Sequence, residues 1–222
     1  MINFSKYPLP NRMRHHTSPN FYLPASELQI IPKGYPPLID KIDWANHFAN
    51  SQPPLLIDIG CGRGRFLLDM SFRFPEKNIL GIEVRPLPVE WLQQVIKGES
   101  LPNVSVIRYS VVNGLPFIED NSIEEVYYLF PDPWPKKKHI KRRAFNLDFI
   151  REVHRILKNE GKLLLATDVP EVHSYHLEIL NEFKLFNVQI VENDEEWNYP
   201  VTNKEDFCRR VGIPFYRIIC RK

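Results

Sequence analysis

Three stretches of this sequence combine residue types and spacings that can do chemistry. The first is Asp58-Ile-Gly-Cys-Gly-Arg-Gly64. Gly60, Gly62 and Gly64 allow a tight backbone turn and let a ligand approach the main chain closely. Their spacing is GxGxG; a dinucleotide fingerprint, GxGxxG, would need a glycine at 65, where Arg65 stands. Asp58 can meet a cation or an amine. The second is Glu83, at the end of the next apolar run. In nucleotide-binding folds an acid there accepts both ribose hydroxyls. The third is residues 130–143, FPDPWPKKKHIKRR. Asp132 stands between two prolines and can read a base edge. Trp134 offers a π face to a base. Lys136, Lys137, Lys138, Lys141, Arg142 and Arg143 can neutralise phosphates. An acid, an aromatic ring and a basic stripe together fit chemistry on a nucleic acid. The bland readings are a glycine turn beside a surface acid and a stiff solvated loop. The placement of each stretch just after an apolar run argues against both.

These residues need a frame. LLIDI (55–59) reads as a buried strand, 64–73 as a helix stopped by Pro75, and ILGIE (79–83) as the second strand. A helix over 87–97 precedes Gly98, and strands follow at 104–109 and 124–130. A helix is predicted over 144–158, with Phe145, Phe149, Ile150, Val153, Ile156 and Leu157 at 3–4 spacing and Gly161 beyond its end. KLLLAT (162–167) is a fifth strand. A helix near 171–185, a strand near 187–191 and a last strand near 214–220 complete the chain. Strand–helix alternation predicts a doubly wound α/β fold with a largely parallel sheet. In such sheets ligands bind beyond the carboxyl ends of the strands, where the three stretches lie. Residues 1–50 hold Pro8, Pro10, Pro19, Pro24, Pro32, Pro36 and Pro37. They predict an extended N-terminal arm with a short helix near 38–49, set before a domain over 51–222.

The 222 residues suffice for one well-packed domain plus an arm. Hydrophobic residues at 43% and charged residues at 25% exclude a disordered, collagenous or coiled-coil chain. No apolar run reaches the ~18 residues of a membrane span, and the N-terminus lacks the apolar stretch of a signal peptide. Cys61, Cys208 and Cys220 are too few and too scattered for a disulfide framework, so a cytoplasmic protein is expected. Lys and Arg total 29 against 27 Asp and Glu, so net charge is uninformative and distribution matters more. Residues 136–143 carry six cationic side chains and no acid, and 207–222 carry five. An acidic stretch lies between them. Such segregation suits a polyanion partner. His173 and His176, three apart on a predicted helix, read as a surface pair and no metal site is expected. Trp44, Trp91 and Trp197 read as packing residues.

The glycine loop resembles the S-adenosylmethionine (AdoMet) loop of seven-stranded Rossmann-like methyltransferases. FPDPWPKKKHIKRR is similar to the FPDPWPKKRHxKRR signature of the tRNA (guanine-N7-)-methyltransferase family. LLIDIGCGRGRFL with NILGIEV, Thr167-Asp168, and the 201–217 segment VTNKEDFCRRVGIPFYR also resemble that family. Arg14-His-His-Thr-Ser-Pro19 resembles the R-x-H-x-N-P of its N-terminal arm. The resemblance runs almost continuously over 54–217.

By that resemblance the chain is expected to transfer a methyl group from AdoMet to N7 of a tRNA guanine, the variable-loop base at tRNA position 46. Asp58, Gly60, Gly62, Glu83, Ser110 and Asp132 would form the AdoMet site, with Asp132 the catalytic residue. Lys136, Asp168, Thr202, Asn203, Lys204 and Glu205 would contact the target nucleotide. The protein would act as a monomer or homodimer, with no obligatory protein partner and no membrane. The sequence departs from the family at Ser110, where an aspartate usually stands, and at Ser18, where the arm usually has asparagine. Two other readings are an AdoMet enzyme acting on a small molecule or protein, which leaves the basic run without a role, and a non-catalytic RNA-binding module with a decayed pocket. A nicotinamide oxidoreductase is disfavoured by Arg65.

Overall fold

A computed structural model describes residues 2–10, 13 and 18–222, apart from the side chains of Lys137 and Lys138. Arg14, His15, His16 and Thr17 of the arm motif therefore lie outside the described residues. The body alternates as the apolar runs require: β1 (Leu56–Ile59), α1 (Arg65–Arg73), β2 (Ile79–Glu83), α2 (Pro86–Gly98), β3 (Val104–Arg108) and β4 (Ile123–Leu129). It continues with α3 (Leu147–Ile156), β5 (Leu157–Thr167), α4 (Pro170–Phe183), β6 (Asn187–Val191), α5 (Asn203–Val211) and β7 (Tyr216–Arg221). The seven strands form one sheet in the order β3-β2-β1-β4-β5-β7-β6. β1 to β5 are parallel, and β7 runs antiparallel between β5 and β6.

β1 and β2 are buried at every position, so the sheet needs cover on both faces. Successive strand residues point to opposite faces, and two cores result. Ile57, Ile59, Leu163 and Leu165 pack with Phe149, Ile150 and Val153 of α3 and Leu180 of α4. Leu56, Tyr127 and Leu164 pack with Phe66 and Leu67 of α1 and Leu92 and Val95 of α2. The order reverses between β1 and β4, so the crevice beyond their carboxyl ends is the natural ligand position. Among the described residues, no helix is long and apolar enough to cross a membrane.

Four details differ from the sequence reading. Gly161 does not end a helix: α3 stops at Ile156 and the chain passes directly into β5. Ile123 pairs with Leu157 and Glu125 with Lys162, so the extra residues of β5 bulge, and a Cβ on Gly161 would lie 2.8 Å from the Lys158 carbonyl oxygen. The helix expected near 38–49 is a single 3-10 turn, Trp44–Asn46, capped by the Asp43 carboxylate. Ile39, Ile42 and Trp44 already reach the core without a helix. α5 was not read from the sequence, although Thr202 accepts the Glu205 N–H at 3.0 Å and Gly212 closes the helix in the left-handed region. His176 is 2% exposed rather than on the surface, with its ring 4.2 Å from that of Phe145. Burial lowers it to about 3, so it is neutral.

The arm crosses the body as extended chain with 3-10 turns at Phe4–Lys6, Pro19–Tyr22 and Ala25–Glu27. Its prolines leave too few backbone donors for regular pairing. It is fixed by side chains instead. The Trp91 indole donates to the Tyr7 carbonyl at 3.0 Å, and the Tyr7 hydroxyl donates to Glu99 at 2.9 Å. Farther along, Phe21 is buried between Tyr35 and Arg108.

Candidate active site

A cavity of about 160 Å³ opens at the carboxyl ends of β1, β2 and β4, and Gly60, Glu83, Ser110 and Asp132 all line it. Gly60 has φ +76°, and nothing lies within 4 Å of where its Cβ would be, so a ligand can lie against its backbone. Glu83 is 3% exposed. Its carboxylate accepts the Gly62 N–H at 3.0 Å and the Arg85 N–H at 2.9 Å. The Arg85 side chain adds contacts of 3.0 Å from Nε and 2.8 Å from Nη2. The acid assigned to the ribose hydroxyls is thus held by a neighbouring guanidinium, which must share it or swing aside when a diol arrives.

Asp58 does not line the cavity. It is 3% exposed, and burial, with the nearby Glu83 charge, pushes its carboxyl up to about 8. It sits under the glycine loop as a carboxyl that a ligand cation would ionise.

Asp132 is presented by an unusual loop. In Pro131-Asp-Pro-Trp-Pro135 only Asp132 and Trp134 carry a backbone N–H. The flanking Phe130 and Trp134 have φ +51° and +41°, conformations that cost roughly 1–3 kcal/mol each outside glycine. The loop is tied down by the Phe130 N–H on the Ala166 carbonyl at 2.7 Å and by Arg143 Nε on the Pro133 carbonyl at 3.0 Å. The Asp132 carboxylate accepts the Tyr22 hydroxyl at 2.8 Å. The Trp134 ring is partly covered: Arg142 lies 5.1 Å over it, and Tyr22 and His139 approach edge-on at 5.0 and 5.8 Å. A base stacking on the face under Arg142 would therefore meet that guanidinium first.

Ser110 donates to the Phe21 carbonyl at 2.7 Å, so this departure from the family pattern is used to hold the arm. Lys136 is exposed at the start of the 3-10 turn Lys137–Arg142. Asp168 pairs with Lys204 at 2.7 Å. Thr202 caps α5, and Asn203 opens it beside a separate groove that also includes Arg63 and Arg65. Glu205 is 2% exposed and bound to Arg209 and Arg217, the latter at 2.5 Å. Its carboxylate faces the protein interior, not the cavity. Tyr22 and Arg85 were not singled out from the sequence. Arg85 had a signal, two residues after the ribose acid; Tyr22 had none linking it to a residue 110 positions away.

The arrangement fits AdoMet. Glu83 can take a diol once the Arg85 guanidinium shares or releases its oxygens. Gly60 leaves open backbone, and Asp132 supplies an acidic group at the cavity wall, with Asp58 behind the loop. Arg142 Nε is buried without a hydrogen-bond partner among the described residues, at a cavity wall where a carboxylate or phosphate would satisfy it. Among the described residues, no cluster of three or more His, Cys, Asp or Glu side chains could hold a metal ion.

Comparison with known proteins agrees. A family described as a putative methyltransferase matches residues 52–218. A protein of Exiguobacterium sp. named tRNA (guanine-N(7)-)-methyltransferase is 30% identical over 93% of this chain and 96% of its own. The chain belongs to this family. A Bacillus licheniformis relative of the same name is 29% identical over 93% of this chain and 97% of its own. Among solved structures, a SAM-dependent O-methyltransferase from Thermotoga maritima superposes with a TM-score of 0.54 at 16% identity, covering 76% of this chain and 59% of that one. That likeness carries the fold: a seven-stranded methyltransferase sheet.

Proposed function

We propose that this protein methylates N7 of a guanine in tRNA, using AdoMet, and that the target is the variable-loop guanine at position 46. The observation that carries the reading is the convergence of Glu83 and Asp132 on one cavity beside the basic 136–143 turn. AdoMet supplies a methyl group on a sulfonium, which is already a good leaving group. Guanine N7 is a lone pair at a base edge, so no proton has to be removed before attack. The chain's task is then alignment of donor and acceptor, with electrostatic support for a base that becomes cationic. Asp132 accepts hydrogen bonds from guanine N1–H and the exocyclic amine, which orients the base and offsets its growing charge. It acts as an orienting and electrostatic group rather than as an obligatory base. Glu83 holds the ribose once Arg85 yields its oxygens, and Asp58 acts from beneath the glycine loop, outside the cavity wall. We assign Lys136, the Asp168–Lys204 pair, Thr202 and Asn203 to tRNA contact, while Glu205, buried against Arg217, can act only by holding the start of α5. We read residues 1–50 as an arm that closes over a methyltransferase domain at 51–222, and the enzyme as a cytoplasmic one.

The test is methyl transfer with purified protein alone, labelled AdoMet and unmodified tRNA transcript, followed by nucleoside mass spectrometry. 7-Methylguanosine that disappears when the variable-loop guanine is replaced supports reaction and site together. It also shows that no protein partner is required. Label that persists in that control overturns the position. Label in no tRNA, with AdoMet bound, overturns the acceptor.

A further inference from the structure

Resting on the reading of Asp132 as the group that orients guanine, we propose that Tyr22 is a positioning residue for methyl transfer. The arm brings its hydroxyl to Asp132 and thereby fixes the plane of the catalytic carboxylate. A carboxylate in a loop is normally oriented by backbone N–H donors. This loop lacks them at 131, 133 and 135, all prolines. The arm adds a donor 2.8 Å from Asp132 Oδ2, alongside the positive charge of nearby Arg85. Burial and the adjacent carboxylate raise the Tyr22 hydroxyl far above its ordinary value, so it stays a proton donor at every working pH.

The segment carrying Tyr22 is built in, not resting loosely. Ser110 Oγ donates to the Phe21 carbonyl at 2.7 Å, the Tyr35 hydroxyl to the Leu23 carbonyl at 2.7 Å, and the Ala25 N–H to Asn113 Oδ1 at 2.8 Å. Phe21 is 7% exposed. A temporary plug would have to break these contacts in every turnover. The same geometry explains the serine at 110. An aspartate there would set its acceptor oxygens against the Phe21 carbonyl, whereas a hydroxyl donates to it. Ser110 is the latch and Tyr22 the finger.

The experiment compares Tyr22→Phe, Ser110→Ala, Asp132→Ala and the double variant Tyr22→Phe/Asp132→Ala. It measures single-turnover methyl transfer, tRNA KM, AdoMet Kd and melting temperature. Tyr22→Phe keeps the ring and removes one oxygen. Its rate should fall about tenfold, the loss expected for one hydrogen bond to a charged group. KM and Kd should stay within about twofold. Ser110→Ala should lose rate in the same direction, by a smaller factor. In the Asp132→Ala background, Tyr22→Phe should change the residual rate by less than about twofold, because the finger then has nothing to hold. A wild-type rate or a faster one in Tyr22→Phe, beside a crippled Asp132→Ala, overturns the inference alone. So does a tenfold loss that persists in the Asp132→Ala background, which marks a merely structural role. Full turnover in Asp132→Ala overturns the parent reading, and this one with it.

Discussion

The two walls of the cavity are made differently. The wall from β1 and β2 is core: Gly60 follows β1 and Glu83 ends β2, both fully buried strands, and their backbone geometry is set by parallel pairing. The opposite wall is assembled from the 130–143 loop and the arm, which have no strand pairing there and are joined by side chains. The first wall inherits its order from the fold. The second is ordered by a few polar contacts and two non-glycine residues at positive φ. A wall fixed by core suits a cofactor that is the same in every cycle. A wall made by contacts between distant segments suits a large substrate, because its shape can be set without disturbing the core.

Changes on either side should reveal that division. The largest effect is expected for Asp132→Ala, with turnover down by at least about 100-fold and tRNA affinity within about twofold. An alanine variant with unimpaired turnover refutes the assigned role. Glu83→Gln should act on the other wall, weakening AdoMet binding by about tenfold while leaving tRNA affinity unchanged. Calorimetry with AdoMet and filter binding with tRNA separate the two, and an equal loss in both would erase the distinction between walls. Lys136→Ala with Lys141→Ala should weaken tRNA binding several-fold at low salt. It should also flatten the log Kd against log salt slope by about 0.7–1 per lysine removed. A slope near zero in the parent protein would refute the basic-stripe argument altogether.

The smallest effect concerns what lies behind the loop wall. His176 is neutral in the folded protein, with its value lowered to about 3 by burial, and it ionises at about 6.5 when unfolded. Its contribution to stability is therefore complete above pH 6.5 and is lost as pH falls toward 3. The slope from this one group is at most about 1.4 kcal/mol per pH unit. Denaturant titrations of the parent and His176→Leu between pH 7 and 4 should show a shallower loss in the variant. Parallel curves would contradict it.

The sequence disclosed the first wall better than the second for a physical reason. Buried parallel strands are continuous apolar runs, so LLIDI and ILGIE announce both the strands and the residues at their ends. Asp132 and the basic run are legible because their chemistry is local and dense. What stayed hidden is non-local: the Tyr22–Asp132 and Ser110–Phe21 contacts join residues 110 and 89 positions apart. Glu205 shows the reverse failure. A Thr-x-x-Glu pattern reads equally as a ligand pair or as a helix start, and here Thr202 caps α5 while the acid is buried against Arg217. Arg85 was legible in position but not in act, because sequence does not show which way a guanidinium folds.

Tyr7 is attached beside Trp91. The arm is held to α2 through Tyr7 and to the cavity through Phe21 and Tyr22, fourteen residues farther along the chain. If denaturant or mutation loosens the second attachment, the first remains, and Tyr22 stays near its target at an effective concentration in the millimolar range for a short tether. Re-closure is then a first-order event that does not depend on protein concentration. A detached arm peptide supplied in trans to a truncated body would have to reach that concentration to do the same work.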